Sequence, residues 1–134
     1  MEINEIKTKL NAAFKALRKE GFLAHQNFLC CSSCAGTQLA NTAEKLKDKG
    51  TEIKGIVFYH RQDAEVLRET GRGILRYRRG GNLMIRFGNV DTTKHGELGL
   101  PTTEVGAIVC KAFADQGLEF QWNGSESSCI QVVL

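Results

Sequence analysis

The stretch Asn27-Phe28-Leu29-Cys30-Cys31-Ser32-Ser33-Cys34-Ala35-Gly36 joins an extended apolar segment to the start of a helix. Three of the five cysteines of the chain lie in it, within five positions, and we call Cys30 to Cys34 the thiol turn. No other segment of the sequence concentrates potential chemistry so densely. Because the stretch passes from extended to helical character, it indicates a chain that mixes strands and helices, an α+β fold.

Size and composition set the broad class of the protein. A chain of 134 residues fits one domain and can bury an ordinary core without metals or disulfides. Five cysteines is an odd number, which disfavours a secreted disulfide framework. The N-terminus is too polar for a signal peptide, and no run of about 18 apolar residues offers a membrane span. We therefore expect a single cytoplasmic domain.

Three segments carry apolar residues at helical spacing. The first begins at Ile3 and ends before Gly21, and the second covers about Ala35 to Asp48. The third begins at Pro101, whose fixed φ suits a helix start, and ends before Gly117. We expect these three longer helices to pack mainly on one face of a sheet.

The remaining apolar segments predict strands. Phe22 to Leu29 is extended, and Gly55 to His60 is an apolar run typical of a central strand. A Gly-Gly turn predicts a hairpin of Gly73 to Arg79 with Leu83 to Gly88, in which Leu83, Ile85 and Phe87 face inward. A second hairpin joins Leu118–Trp122 to Cys129–Leu134. We expect a four- or five-stranded, largely antiparallel sheet.

The thiol turn contains a C-x-x-C pair, Cys31 and Cys34, at a predicted helix N-terminus. The positive end of the helix dipole favours a thiolate there, and a thiolate can act as nucleophile or metal ligand. The element order around this pair matches a thioredoxin-like core. Against a redox function, the only proline is Pro101, which cannot supply the cis-proline that faces the thiols in that fold, and Cys30 is foreign to the pattern.

Zinc binding is a further hypothesis for the thiol turn. Cys31 and Cys34 would supply two of about four ligands, and His25 and His60 are the candidates to complete the set. The simpler explanation is that these cysteines pack as small apolar side chains, since cysteine is among the most buried residue types. Packing also explains Cys110 and Cys129 better than chemistry does.

A second candidate group follows the predicted central strand, where α/β sheets tend to bind ligands. It comprises His60, Gln62 and Asp63. His60 could act as a base or a ligand, oriented by Asp63. The pattern favours a simpler hypothesis, in which Asp63 caps a helix and His60 bonds to a backbone carbonyl.

Seven of the eight arginines lie between positions 61 and 86, although the net charge is only +3. The alternating residues Arg72, Arg76, Arg78 and Arg86 would form one exposed surface, which we call the arginine face. It could bind phosphate or an acidic partner, or simply protect a strand edge. No aromatic side chains interleave with it, so we expect no nucleic-acid surface.

The stretch Asn89 to Leu100 has no clear period and is expected to be a loop. It contains Asp91, His95 and Glu97, a possible acid/base trio or oxygen-rich ion site. Long loops are often functional, but they also collect polar residues because water solvates them.

Several of these motifs together resemble a bacterial family catalogued only as a domain of unknown function. The resemblance covers Phe22 to Val132 and rests on Gln26-Asn27-Phe28, the Cys30-Cys31-x-x-Cys34 turn, Phe58-Tyr59-His60-x-Gln62-Asp63, and Gly117-Leu118 with Trp122-Asn123-Gly124-Ser125. It implies that the thiol turn and His60-x-Gln62-Asp63 lie near one another. Ala35-Gly36 stands where relatives carry a Gly-His-like pair, which weakens a metal site here.

Our function prediction is binding or interaction, with an unidentified small molecule or protein, through the surface of Cys30, Cys31, Cys34, His60, Gln62 and Asp63. The competing prediction is a thiol-redox or zinc-dependent enzyme or sensor that uses Cys31 and Cys34. Neither prediction assigns a catalytic residue or a firm cofactor, and neither requires a membrane.

Overall fold

The computed structural model describes residues 3–29, 32–64 and 82–133. Its elements are α1 (Ile3–Glu20), β1 (Phe22–His25), α2 (Ser32–Asp48), β2 (Gly55–Phe58), β3 (Asn82–Gly88), β4 (Val90–Thr92), β5 (Gly96–Leu98), α3 (Thr102–Asp115), β6 (Phe120–Gln121) and β7 (Ile130–Val133). They form an α+β domain with three longer helices, as the periodicity predicts.

The main sheet has five strands in the order β1-β2-β3-β7-β6. β1 and β2 are parallel, whereas β3 runs antiparallel to both β2 and β7, and β7 is antiparallel to β6. The parallel pair requires a crossover, which α2 provides. β4 and β5 form a separate two-stranded sheet. The sheet is thus mixed, and largely antiparallel as expected.

One face of the sheet carries the larger core. α1 and α3 pack there, and because strand side chains alternate between faces, every second residue of each strand points to these helices. Phe14 and Phe113 are fully buried in this layer, together with Val57 and Ile85 of the sheet. We call this side the α1/α3 face.

The opposite side, the α2 face, has a smaller core. Ala35 and Leu39 of α2 are fully buried against Phe58, with Leu23 and Ile56 packed alongside. Two of the three longer helices therefore share one face, and α2 lies on the other.

The strand predictions can be compared with the structure directly. In β3, Leu83 and Ile85 point into the core, as predicted, and Phe87 packs against it. The C-terminal hairpin is confirmed as β6–β7. The predicted strand Gly73 to Arg79 lies outside the described residues. The stretch Asn89 to Leu100, expected to be a loop, contains the short β4–β5 hairpin.

None of the helices in the described part of the chain is both long and apolar enough to cross a membrane.

Candidate functional site

At the carboxyl ends of β1 and β2, the segment that precedes the thiol turn lies beside the segment that contains His60. Beyond the strands, the Phe28 N–H donates to the Tyr59 carbonyl at 2.9 Å, and the Arg61 N–H donates to the Leu29 carbonyl at 2.9 Å. Leu29 immediately precedes Cys30, and Arg61 immediately follows His60. The entrance to the thiol turn therefore lies against the segment that contains His60.

This entrance has an unusual backbone. Asn27 and Leu29 adopt φ values of 52° and 58°, in the left-handed region that non-glycine residues rarely use. Leu29 is also a large apolar residue with 37% of its surface exposed. Such a conformation costs about 1–3 kcal/mol and persists only where surrounding contacts hold it, here the bond to Arg61. Strain of this kind is concentrated at binding and catalytic sites in proteins.

α2 begins at Ser32, three residues after Leu29. Its first turn contains no acidic residue, and Cys34 in that turn is exposed. The first N–H groups of a helix and its dipole attract negative charge, so this end of α2 favours an anion or a thiolate. Cys30 and Cys31 lie outside the described residues.

His60 and Asp63 form a reciprocal pair at the start of a helical turn. The Asp63 N–H donates to His60 Nδ1 at 3.2 Å, and the His60 N–H donates to Asp63 Oδ2 at 3.3 Å. The Ala64 N–H donates to the His60 carbonyl at 3.0 Å, the spacing of a first helical turn. This exchange has the pattern of a capping box, with His60 at the cap position and Asp63 three residues on.

Arg86 of β3 ties this capping box to the sheet. Its Nε and Nη2 donate to the two carboxylate oxygens of Asp63 at 3.2 and 3.4 Å. Residue 86 reaches the box because β2 and β3 pair Phe58 with Arg86. Asp63 is 8% exposed, so this two-pronged contact neutralises a nearly buried carboxylate.

Burial lowers the pKa of His60, and the nearby Arg86 adds to this effect although Asp63 opposes it. The geometry requires the same neutral form, because Nδ1 accepts a hydrogen bond and cannot carry a proton while it does so. Nε2 then bears the ring proton and lies 3.2 Å from Asp63 Oδ2. His60 is 3% exposed and acts here as a structural cap rather than an open base.

These contacts can be compared with the two hypotheses for His60 and Asp63. Asp63 caps a turn, as the simpler hypothesis held, but His60 accepts a bond from a backbone N–H instead of donating to a carbonyl. Gln62, between them, is exposed. Of the arginine face, Arg86 is engaged by Asp63, and Arg72, Arg76 and Arg78 lie outside the described residues.

The two histidines proposed as zinc ligands contact other side chains. His25 stacks on Phe28 with ring centroids 4.4 Å apart, and both ring nitrogens of His60 lie close to Asp63. Within residues 3–29, 32–64 and 82–133, no group of three or more His, Cys, Asp or Glu side chains could hold a metal ion. A site that includes Cys31 stays a prediction.

Two members of the loop trio, Asp91 and Glu97, are paired across β4 and β5, whereas His95 in the turn between them bonds to another element. His95 Nε2 lies 2.8 Å from Asp48 of α2, and the Lys94 N–H donates to Glu44 at 2.8 Å. His95 and Lys94 thus attach the β4–β5 hairpin to α2.

Sequence reasoning missed Cys129 as a neighbour of the capping box. The register pairs Ile85 with Ile130, so Cys129 lies beside Arg86, which contacts Asp63. Burial raises the pKa of the Cys129 thiol. The signal for this was indirect: Cys129 immediately precedes a strand that pairs with β3, and residues across neighbouring strands share a face.

The comparison with protein families matches a single model over residues 5–134, described as a domain of unknown function (DUF6891). The chain belongs to this family. The match confirms the family resemblance over nearly the whole chain. No curated protein and no solved structure matches the chain.

Proposed function

We propose that this DUF6891 protein binds a small anionic ligand at the carboxyl ends of β1 and β2, on the surface formed by the thiol turn and residues 60–63. The observation that carries the proposal is the pair of 2.9 Å backbone bonds that join Phe28 and Leu29 to Tyr59 and Arg61. These bonds support the proposal because they hold the segment that leads to α2 against residues 59–61.

The topology supports a ligand at this edge. β1, α2 and β2 form a strand–helix–strand unit with parallel strands, and such units bind ligands outside the carboxyl ends of their strands. The helix that follows the first strand then directs its N-terminal N–H groups at the ligand, which favours a phosphate or carboxylate.

The side chains divide into a scaffold and a contact surface. His60 and Asp63 are buried and bonded to each other and to Arg86, so they position the loop rather than meet the ligand. Arg61, Gln62 and Cys34 are exposed and form the contact surface. Because Arg61 is positive and the first turn of α2 has no acidic residue, this surface suits a ligand with a negative group.

An NMR titration with inorganic phosphate tests this proposal. We expect the largest backbone amide shifts at Leu29, Cys34, Arg61 and Gln62, with a dissociation constant in the millimolar range, about 4 kcal/mol of binding free energy. Arg61→Gln should weaken phosphate binding by about threefold to tenfold. Lys15→Gln, the same loss of charge on the exposed side of α1, should not.

Shifts that cluster elsewhere, or equal weakening by the two variants, would overturn the proposal. The second outcome would mean that phosphate binding depends only on the net charge of the protein.

A cytoplasmic location stays a prediction from cysteine usage.

A thiol-based activity is the second candidate, and the exposure of Cys34 in the first turn of α2 is the observation that favours it. Measuring the alkylation rate of Cys34 against pH tests it. A reactive thiolate should be alkylated at neutral pH faster than Cys110 and Cys129, whose pKa values are raised by burial. A Cys34 rate that matches theirs would remove the thiol candidate without affecting the phosphate titration.

A further inference from the structure

A cavity of about 580 Å³ lies over β3, β7 and β6 on the α2 face. Its lining includes Met84, Gln121, Asn123, Ser128, Cys129 and Gln131. These side chains share one face because Ile130 and Val132 of β7 point into the opposite core, which turns Cys129 and Gln131 outward. Met84, Gln121 and Gln131 lie on strands, and the other lining residues belong to the connection between β6 and β7.

Two lining side chains keep a donor after the hydrogen bonds that they accept are counted. The Gln131 Oε1 accepts from Asn82 Nδ2 at 2.9 Å, so the Gln131 NH₂ group remains to donate. The Ser128 Oγ accepts from Asn123 Nδ2 at 3.1 Å, and its O–H can donate elsewhere.

The charge of the lining is equally specific. The described lining contains no acidic or basic side chain, and burial raises the pKa of Cys129, which favours the uncharged thiol. The nearby guanidinium of Arg86 is engaged by Asp63. A charged ligand would lose its hydration here without gaining an opposite charge, which is costly.

We propose that this cavity binds a neutral ligand through carbonyl oxygens, with the Gln131 NH₂ group and the Ser128 hydroxyl as donors. The chemical class is that of amides and lactams, including pyrimidine-like rings. This proposal is independent of the anion site, because the cavity is lined by other residues and would take a neutral ligand instead of a negative one.

The test is an NMR titration of the whole protein with uridine, which presents two ring carbonyls, and with glucose and acetate as comparison ligands. Uridine should shift the side-chain NH₂ signals of Gln131 and Gln121, and acetate should not. Gln131→Glu keeps an oxygen acceptor for Asn82 but removes the donor, so it should weaken uridine binding by about tenfold.

Gln38→Glu provides the matched control, because it makes the same change at an exposed position of α2 and should leave uridine binding unaltered. Ser128→Ala covers the case in which Gln131→Glu fails to fold, and it should also weaken binding. Full binding by either cavity variant, no uridine shift at Gln131, or a preference for glucose or acetate would each overturn the proposal.

Discussion

The two faces of the main sheet differ in what they contain. The α1/α3 face holds one continuous apolar core, in which Phe14 and Phe113 are fully buried. The α2 face holds a small apolar cluster around Leu39 and, beside it, the capping box, Arg86 and the amide-lined cavity. We infer that one side of the sheet supplies most of the unfolding free energy and that the other side can therefore carry polar groups.

Replacing one phenylalanine by alanine on each face tests this division, and it should give the largest change in stability. Phe14→Ala should cost about 3–5 kcal/mol of unfolding free energy, because Phe14 is fully buried and leaves a cavity. Phe28→Ala should cost less than about 2 kcal/mol, because Phe28 is only partly buried on the α2 face. Urea denaturation measures both, and equal costs would contradict the division.

The next effect concerns the polar group of the α2 face. Asp63→Ala removes the acceptor for Arg86 and for the His60 N–H, and we expect a loss of about 2 kcal/mol in unfolding free energy. The control is Asp115→Ala, which breaks the exposed pair with Lys111 and should change stability by less than about 0.5 kcal/mol. A loss no greater than that of the control would show that the Arg86 contact is dispensable.

The smallest effect is a dependence of stability on pH. The pKa of His60 in the folded protein lies below the ordinary value of 6.5, mainly through burial. As the pH falls below 6.5, residue 60 takes up a proton in the unfolded chain before it does so in the folded protein. The contribution of His60 to the unfolding free energy is therefore fully present above pH 6.5 and decreases as the pH falls towards the folded pKa. The pKa of His25 is lowered too, by burial and Arg18, and contributes with the same sign.

His60→Asn isolates the contribution of the cap. Asparagine can still accept the Asp63 N–H, but it does not titrate, so the loss of stability between pH 7 and pH 5 should become smaller. Denaturation midpoints across this range measure the slope, and His25→Asn gives the share of the other histidine. An unchanged slope in His60→Asn would mean that the buried ring is not what links folding to pH on this face.

Local patterns in the sequence predicted much of the fold. The three helices follow from apolar spacing, and the inward positions of Leu83 and Ile85 follow from alternation within one strand. The sequence also predicted the capping role of Asp63, because its partner His60 is only three residues away. The β4–β5 hairpin was not, because strands of three residues show too little alternation to stand out.

The features that the sequence did not predict depend on contacts between segments that are distant along the chain. The pairing of Arg86 with Asp63 depends on the register of β2 against β3, and the position of Cys129 depends on that of β7. The parallel arrangement of β1 and β2 likewise follows from α2 crossing the α2 face. No local period encodes these relationships.

The contact between Arg86 and Asp63 has a consequence for how this family can diversify. It connects positions that are 23 residues apart in the chain, so the points where the chain leaves β2 and re-enters β3 are fixed by a direct bond. A shift of one residue in the register of β3 against β2 would turn Arg86 to the α1/α3 face and break this contact, because successive residues of a strand point to opposite faces. We therefore expect members of the family that keep this contact to share the register of β2 against β3.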